Sequence, residues 1–272
     1  AHVDADRWAG RRLDLRGRPD LAELIRAIDG LRTADGRPAI GRLRFVTSHP
    51  WDLSDRLIGA LADCQSVCEH LHLPVQSGDD GVLRRMGRQY TIDHYEERLE
   101  RIRAALPKIA VSTDVIVGFP GETEAQFEAT LELLGRTRYD QVFAAAYSAR
   151  PDTPATRLAD DVPAEVKRRR LNDLLAVQEA IGLARNQAWL GRDVAVLVDC
   201  LAPARSHDHD EPTAVVEPGV QVRLSGRTRG NKLVHLVGEP RMLGSEVTVR
   251  VSHAGPYALR GSVVDHEPDP AR

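Results

Sequence analysis

Between His70 and Tyr90 the chain reads HLHLPVQSGDDGVLRRMGRQY, and few architectures accommodate that string. Leu71, Leu73 and Val75 alternate with His70, His72 and Pro74, the period of two that marks a strand. His70 and His72 therefore share one face. Pro74 sits near the strand's end, where a missing N–H is tolerated. Gln76-Ser77-Gly78 closes the strand, and Asp79 and Asp80 are placed to cap a following helix. A strand that gathers polar groups at its C-terminal end and runs into a helix is a unit of parallel α/β architecture, and ligands bind at that end. Gln76 offers an amide and Ser77 a hydroxyl, and Gly78 would let a ligand approach the backbone. Arg84, Arg85 and Arg88 add cations that can clamp a carboxylate.

The same alternation of elements recurs along the chain. Leu21, Leu24, Ile25 and Ile28 have helical spacing. Leu43–Thr47 reads as a short strand ending in Ser48-His49-Pro50, with His49 a candidate ligand contact, and a helix follows over 53–62. Thr91–Leu106 is a helix capped by Thr91. Ile109–Phe119 is a β-branched strand whose one carboxylate, Asp114, is costly to bury unless it is hydrogen-bonded or binds something. Gly118, Pro120 and Gly121 form a turn, and Thr123 and Gln126 are spaced as a capping box for the next helix. Val142–Tyr147 is a further strand, leading into a Pro-rich loop with Arg150, and Pro163 opens a helix to about Leu190. Its basic run, Lys167–Arg170, reads as a face in water. From Arg192 the texture changes to short β runs punctuated by glycines (Val194–Val198, Val220–Leu224, Lys232–Leu236, Glu246–Val251, Leu259–Val264), which suggests a small β-barrel.

Charge and cysteine usage narrow the function classes. The 272 residues carry a formal net charge of −3, so any RNA contact must rest on a local patch. Arg223, Arg227, Arg229 and Lys232 form one, within ten residues that contain no acid. No apolar run is long enough for a membrane span, and no signal-peptide pattern is present, which points to a cytoplasmic protein that does not engage a membrane. Three cysteines argue against a disulfide framework. Cys64 and Cys68 read as small buried hydrophobes. The loop Ser206–Glu211, rich in His and Asp, reads as a solvated linker, and no metal site is assigned.

Several strings in order carry a family likeness: TSHPWDLSD at 47–55, HLHLPVQSGDD at 70–80, GRTRGNKLVHLVG at 226–238 and VSHAGPYALRGSVV at 251–264. Together they resemble the radical-SAM tRNA methylthiotransferases, most closely the type that makes 2-methylthio-N6-dimethylallyladenosine. The resemblance runs from about Pro19 to Val264. It implies the later part of a radical-SAM partial (TIM-like) barrel lacking its first strands over 1–190, an OB-like TRAM domain over 191–266 and a tail over 267–272. Gln76 and Arg88 match the family's pair for the methionine carboxylate of S-adenosylmethionine, Asp114 its ribose contact, and Ser77 and Gly118 the same rim. Arg223, Arg227, Arg229 and Lys232 fall in the RNA-binding module. The family's cofactors are S-adenosylmethionine and [4Fe-4S] clusters. Its cluster motif is C-x3-C-x2-C, whereas the third position after Cys64 and Cys68 is Leu71, so no residue here is assigned as catalytic or as a cluster ligand. The implied partners are the tRNA anticodon stem-loop and an electron donor, with a monomer expected for the complete enzyme. The implied activity is methylthio transfer to C2 of the prenylated adenosine next to the anticodon, the chain alone being expected to be silent. Two alternatives stay open: an RNA-binding remnant without catalysis, and a family member acting on threonylcarbamoyladenosine or a small-subunit ribosomal protein. Absent first strands would also leave Leu43–Thr47 or a neighbour as an unprotected sheet edge.

Overall fold

A computed structural model describes residues 20–45, 50–151, 153–201 and 220–264. Its first part alternates helix and strand: α1 (Leu21–Asp29), α2 (Asp55–Asp63), β1 (His70–His72), α3 (Asp80–Arg85), α4 (Ile92–Ala105), β2 (Ala110–Val117), α5 (Glu124–Thr137), β3 (Gln141–Ala146) and α6 (Ala164–Gln187). The expected caps are in place. Asp79 accepts from Val82 N–H at 2.9 Å, Thr91 from His94, and Thr123 and Gln126 close a reciprocal capping box.

The three strands form a parallel sheet in the order β1-β2-β3. Its two faces differ sharply. Leu71, Val111, Val115 and Val117 are almost fully buried against Tyr95, Leu99, Ile102, Phe127, Leu134 and Leu174 of the surrounding helices. Burial of such side chains contributes roughly 1.5–3 kcal/mol each, and this face is where the sheet is held. Buried tyrosine hydroxyls tie the helices to the sheet: Tyr95 donates to the Leu73 carbonyl at 2.9 Å, and Tyr139 to Tyr95 Oη at 3.0 Å. The opposite face carries His70, His72, Ser112, Asp114, Ile116 and Phe143, and Phe143 is 51% exposed. Parallel sheets are ordinarily covered on both faces, so an open, polar second face is the departure that defines the site.

A second core belongs to the C-terminal strands: β4 (Asp193–Leu201), β5 (Val222–Arg227), β6 (Leu233–Gly238), β7 (Glu246–Ala254) and β8 (Ala258–Val263). They close a barrel in the order β4-β5-β6-β8-β7 around Val194, Val196, Val198, Leu224, Val234, Val249 and Leu259. Register shifts in β4 and β7 supply the bends that closure requires.

Three expectations need correction. Leu43 makes only a single parallel bridge, to Val67, because its amide and carbonyl engage Ser66 and Cys68 on one short segment. No strand forms over the described residues 43–45, and β1 is the outer strand on that side. Only half of the 167–170 run is a face in water: Arg168 and Arg169 are exposed. Lys167 and Arg170 are 8% and 4% exposed, since the start of α6 packs on the 118–124 turn and Arg170 meets Glu122 there. Arg88, which the sequence places in the helix after Gly78, lies three residues beyond α3. The strings 1–18 and 206–211, and His49, lie outside the described residues. No helix among the described residues is long and apolar enough to cross a membrane.

Candidate functional site

The open sheet face is organised by register. The β1–β2 pairing sets His72 beside Ser112, and the β2–β3 pairing sets Asp114 beside Phe143. Ser112 Oγ lies 3.0 Å from His70 Nε2 and 2.9 Å from His72 Nδ1, and His72 Nε2 lies 3.3 Å from Asp114 Oδ2. This polar chain ends at Asp114, whose side chain is 40% exposed. The cost expected for a carboxylate inside a buried strand does not arise, because this face of β2 opens at Asp114, whereas Ala110 and Ser112 on the same face are buried. The His72 ring also packs edge-on against Phe143, 5.8 Å between centroids. Burial, the nearby Arg44 and Arg227 guanidinium groups and the neighbouring His72 ring lower the His70 pKa to about 4, with Asp140 opposing, so its imidazole is neutral at physiological pH.

Gln76 is spliced into the sheet beside this chain. Its N–H donates to the Asp114 carbonyl at 2.8 Å, and its carbonyl accepts from Ile116 N–H at 2.9 Å. To do so it takes φ = +69°, a left-handed conformation that is costly for a non-glycine residue and that clusters at functional sites. Its side-chain amide has no hydrogen-bond partner among the described residues. Arg88 also has no ion pair among them. Its segment is tied to the same strand end, because the Tyr90 hydroxyl donates to the carbonyls of Val75 (3.1 Å) and Pro74 (3.3 Å). Gln76, Arg88 and Asp114 thus keep polar capacity free at one end of the sheet.

The other sequence-derived candidates are committed elsewhere. Ser77 is fully buried, and its Oγ accepts from Asp79 N–H at 3.3 Å. Gly78 does not admit a ligand. A Cβ there would lie 2.5 Å from Thr130 Cα and 2.7 Å from the Ala129 carbonyl, so its smallness serves the approach of α5, sealed by the Gly78 N–H to Thr130 Oγ1 bond at 2.9 Å. Gly118 has φ = +69°, and a Cβ would meet Lys167 Cγ at 2.4 Å. Its N–H donates to Glu122 Oε2 at 2.6 Å. Burial pushes the Glu122 carboxyl up against the pull of Gly118 N–H and Arg170, and Arg170 holds it at 2.8 Å. The Arg85 fork is spent on the Pro120 and Gly121 carbonyls and on Gln126.

The basic hairpin of the barrel faces the sheet domain. Arg229 binds the Glu69 carboxylate at 2.9 Å and the carbonyls of Gln65 (2.9 Å) and Val67. Lys232 is 8% exposed and sits 3.7 Å from Asp140. Arg227 donates to the Asn231 carbonyl, while its own carbonyl accepts from Arg42 at 2.7 Å. Arg223 alone of the four is exposed with no side-chain partner among the described residues. The counterparts Arg42 and Arg44, which bind Glu246, Asn231 and Thr228, were not predicted; no local pattern marks a residue whose partner lies about two hundred positions away.

The described cysteines do not suit an iron–sulfur cluster. Cys64 and Cys68 are buried in separate hydrophobic contacts and Cys200 is exposed on the barrel, no group of three or more metal-ligating side chains occurs among the described residues, and burial pushes the Cys64 thiol up, away from the thiolate a cluster needs.

Comparison with known proteins agrees with the geometry. A family model described as the Radical SAM superfamily matches residues 9–134. The curated tRNA-2-methylthio-N(6)-dimethylallyladenosine synthase of Desulfitobacterium hafniense (strain Y51) is 42% identical over 248 residues, 91% of this chain and 51% of that protein. The proteins of the same name from Acetivibrio thermocellus and Carboxydothermus hydrogenoformans are each 41% identical over 251 residues, 92% of this chain and 48% and 52% of theirs. The chain spans about half the length of the curated relatives it matches. The superfamily match over residues 9–134 and the relatives along nine-tenths of the sequence lead to one conclusion: the chain is similar to the radical SAM superfamily in its first half and, over nearly its whole length, to part of the curated tRNA-2-methylthio-N(6)-dimethylallyladenosine synthases.

Proposed function

We propose that this chain supplies the S-adenosylmethionine-orienting face of an enzyme that adds a methylthio group to prenylated adenosine in tRNA. The observation that carries the reading is the backbone splice of Gln76 to Asp114 at φ = +69°, which puts a buried, unpartnered amide and a partly exposed carboxylate at neighbouring positions of adjacent strands. Asp114 accepts from ribose hydroxyls, with His72 fixing its orientation through Oδ2. The Gln76 amide and the Arg88 guanidinium take the methionine carboxylate, the latter as a bidentate fork. Ser77 and Gly118 shape the rim from behind, through the turn that they fold, rather than by direct contact. When bound, S-adenosylmethionine supplies the radical and methyl-donor chemistry, and the protein's part is orientation. The closed barrel is the TRAM-like, RNA-facing module of this reading, and the substrate is the tRNA anticodon stem-loop. Four of its five strand pairings are antiparallel and β6–β8 is parallel, and a small five-stranded barrel is the architecture on which OB-like modules bind oligonucleotides.

Isothermal titration with S-adenosylhomocysteine tests the site. Saturable binding is expected, weakened at least tenfold by Asp114→Ala and by Arg88→Ala; the melting temperature should be unchanged in Arg88→Ala, which breaks no ion pair among the described residues, and slightly lower in Asp114→Ala, which loses the His72 contact. Equal affinity in both variants and the parent would overturn the assignment.

A further inference from the structure

Where the barrel meets the sheet domain there is a cleft of about 640 Å³, a size typical of ligand sites. It lies at the N-terminal ends of β2 and β3, the opposite end of the sheet from Gln76. Its walls carry six cationic and three acidic side chains, in a chain whose overall net charge is −3. The three acids are already matched. Glu69 holds Arg229 at 2.9 Å, Asp140 holds Arg185 at 2.8 Å, and Asp193 holds Arg250 at 2.8 Å. Three exposed cations remain without an ion pair among the described residues: Lys108 just before β2, Arg138 just after α5, and Arg192 just before β4. Two come from the sheet domain and one from the start of the barrel. Arg138 is held in the left-handed conformation at φ = +49°, which fixes where its side chain leaves the backbone. Apolar surface from Trp189, Ala188 and Val194 lies between them.

The geometry points to this cleft as a binding site for the phosphodiester backbone of RNA, gripped by Lys108, Arg138 and Arg192. The inference rests on the RNA-modifying reading above. It moves the electrostatic contact from the 223–232 hairpin, where Arg229 and Lys232 are occupied in docking, to the seam that the docking creates. The physical case is direct: matched pairs cannot release condensed counterions from a polyanion, and unmatched exposed cations can. Position also fits. Ala110 lines the cleft, and Asp114 lies four residues further along β2, about 13 Å at the strand rise. Phosphates flanking the modified nucleotide can therefore occupy the cleft while the base lies over the open face.

Fluorescence anisotropy with a short labelled RNA hairpin, titrated between about 50 and 200 mM salt, tests this. Each of Lys108→Gln, Arg138→Gln and Arg192→Gln should lower the slope of log K against log salt by roughly 0.7–0.9. The triple variant should bind at least tenfold more weakly. Arg168→Gln is the control: it removes the same charge from an exposed position that lies seventeen residues before Arg185 on α6, about 26 Å along the helix, and should leave the slope unchanged. If the triple variant folds poorly, the single slopes carry the test. Cleft variants that bind like the parent, a control that falls as far as they do, or displacement of the hairpin by inorganic tripolyphosphate at equal phosphate concentration would each overturn the inference. A parent chain that shows no salt-dependent RNA binding would overturn it too, while leaving the S-adenosylmethionine reading to its own calorimetry.

Discussion

Arg229→Ala separates two roles that one side chain cannot fill at once. In the basic hairpin Arg229 reads as a phosphate contact; in the folded chain its guanidinium is saturated by Glu69 and by the carbonyls of Gln65, Val67 and Gly41. The side chain is 30% exposed, and Glu69 36%, so water competes for part of this network. A hydrogen bond to a charged group contributes about 1.5–3 kcal/mol net, and loss of one partner leaves the acceptors to be resolvated. Allowing for exposure, the truncation should cost about 2 kcal/mol, several degrees in melting temperature, and should expose the 65–69 segment to protease. Arg229→Lys should lose nearly as much, because an ammonium is a point charge and cannot fork across a carboxylate and separate carbonyls. Urea melts of the parent, Arg229→Ala, Glu69→Gln and the double variant close a mutant cycle, in which a coupling above about 1 kcal/mol is expected. A docking role for Arg229 is refuted if Arg229→Ala melts within a degree of the parent while RNA affinity falls, and if Arg229→Lys restores that affinity.

Two further outcomes follow from the geometry. Gly78→Ala should destabilise the chain by about 3 kcal/mol, since its Cβ would meet the α5 backbone at 2.5 Å; a ligand-clearance role would instead leave urea stability unchanged and lower only S-adenosylhomocysteine affinity. His70 is held neutral with its pKa lowered to about 4 from 6.5, so on acidification the unfolded chain takes up a proton before the folded one does. The folded state is favoured above pH 6.5 and loses up to about 3 kcal/mol as pH falls from 6.5 towards 4. Paired urea melts at pH 7.5 and pH 5 should show a steeper loss for the parent than for His70→Gln; parallel losses would sink the argument.

Much of this protein was legible in one dimension. The alternation over 70–75 placed a strand, and Asp79, Thr91 and the Thr123–Gln126 box placed helix starts, because caps and periodicity are local and the backbone groups they satisfy lie within four residues. Valine runs after Arg192 announced a small barrel for the same reason. The family resemblance singled out Gln76, Arg88 and Asp114, which the fold leaves with free polar capacity. What the order of residues could not decide was who meets whom across the fold. Gly78 looks like clearance for a ligand until α5 arrives against it. Lys167 and Arg170 look like a wet face until Asp160 and Glu122 are brought to them. Arg229 and Lys232 look like phosphate contacts until the barrel turns them towards Glu69 and Asp140, and Lys108, Arg138 and Arg192, far apart in sequence, become neighbours at the seam. A charge has no meaning until its partner is known, and the partner is set by register and docking over separations of tens to hundreds of residues, beyond the reach of any local rule.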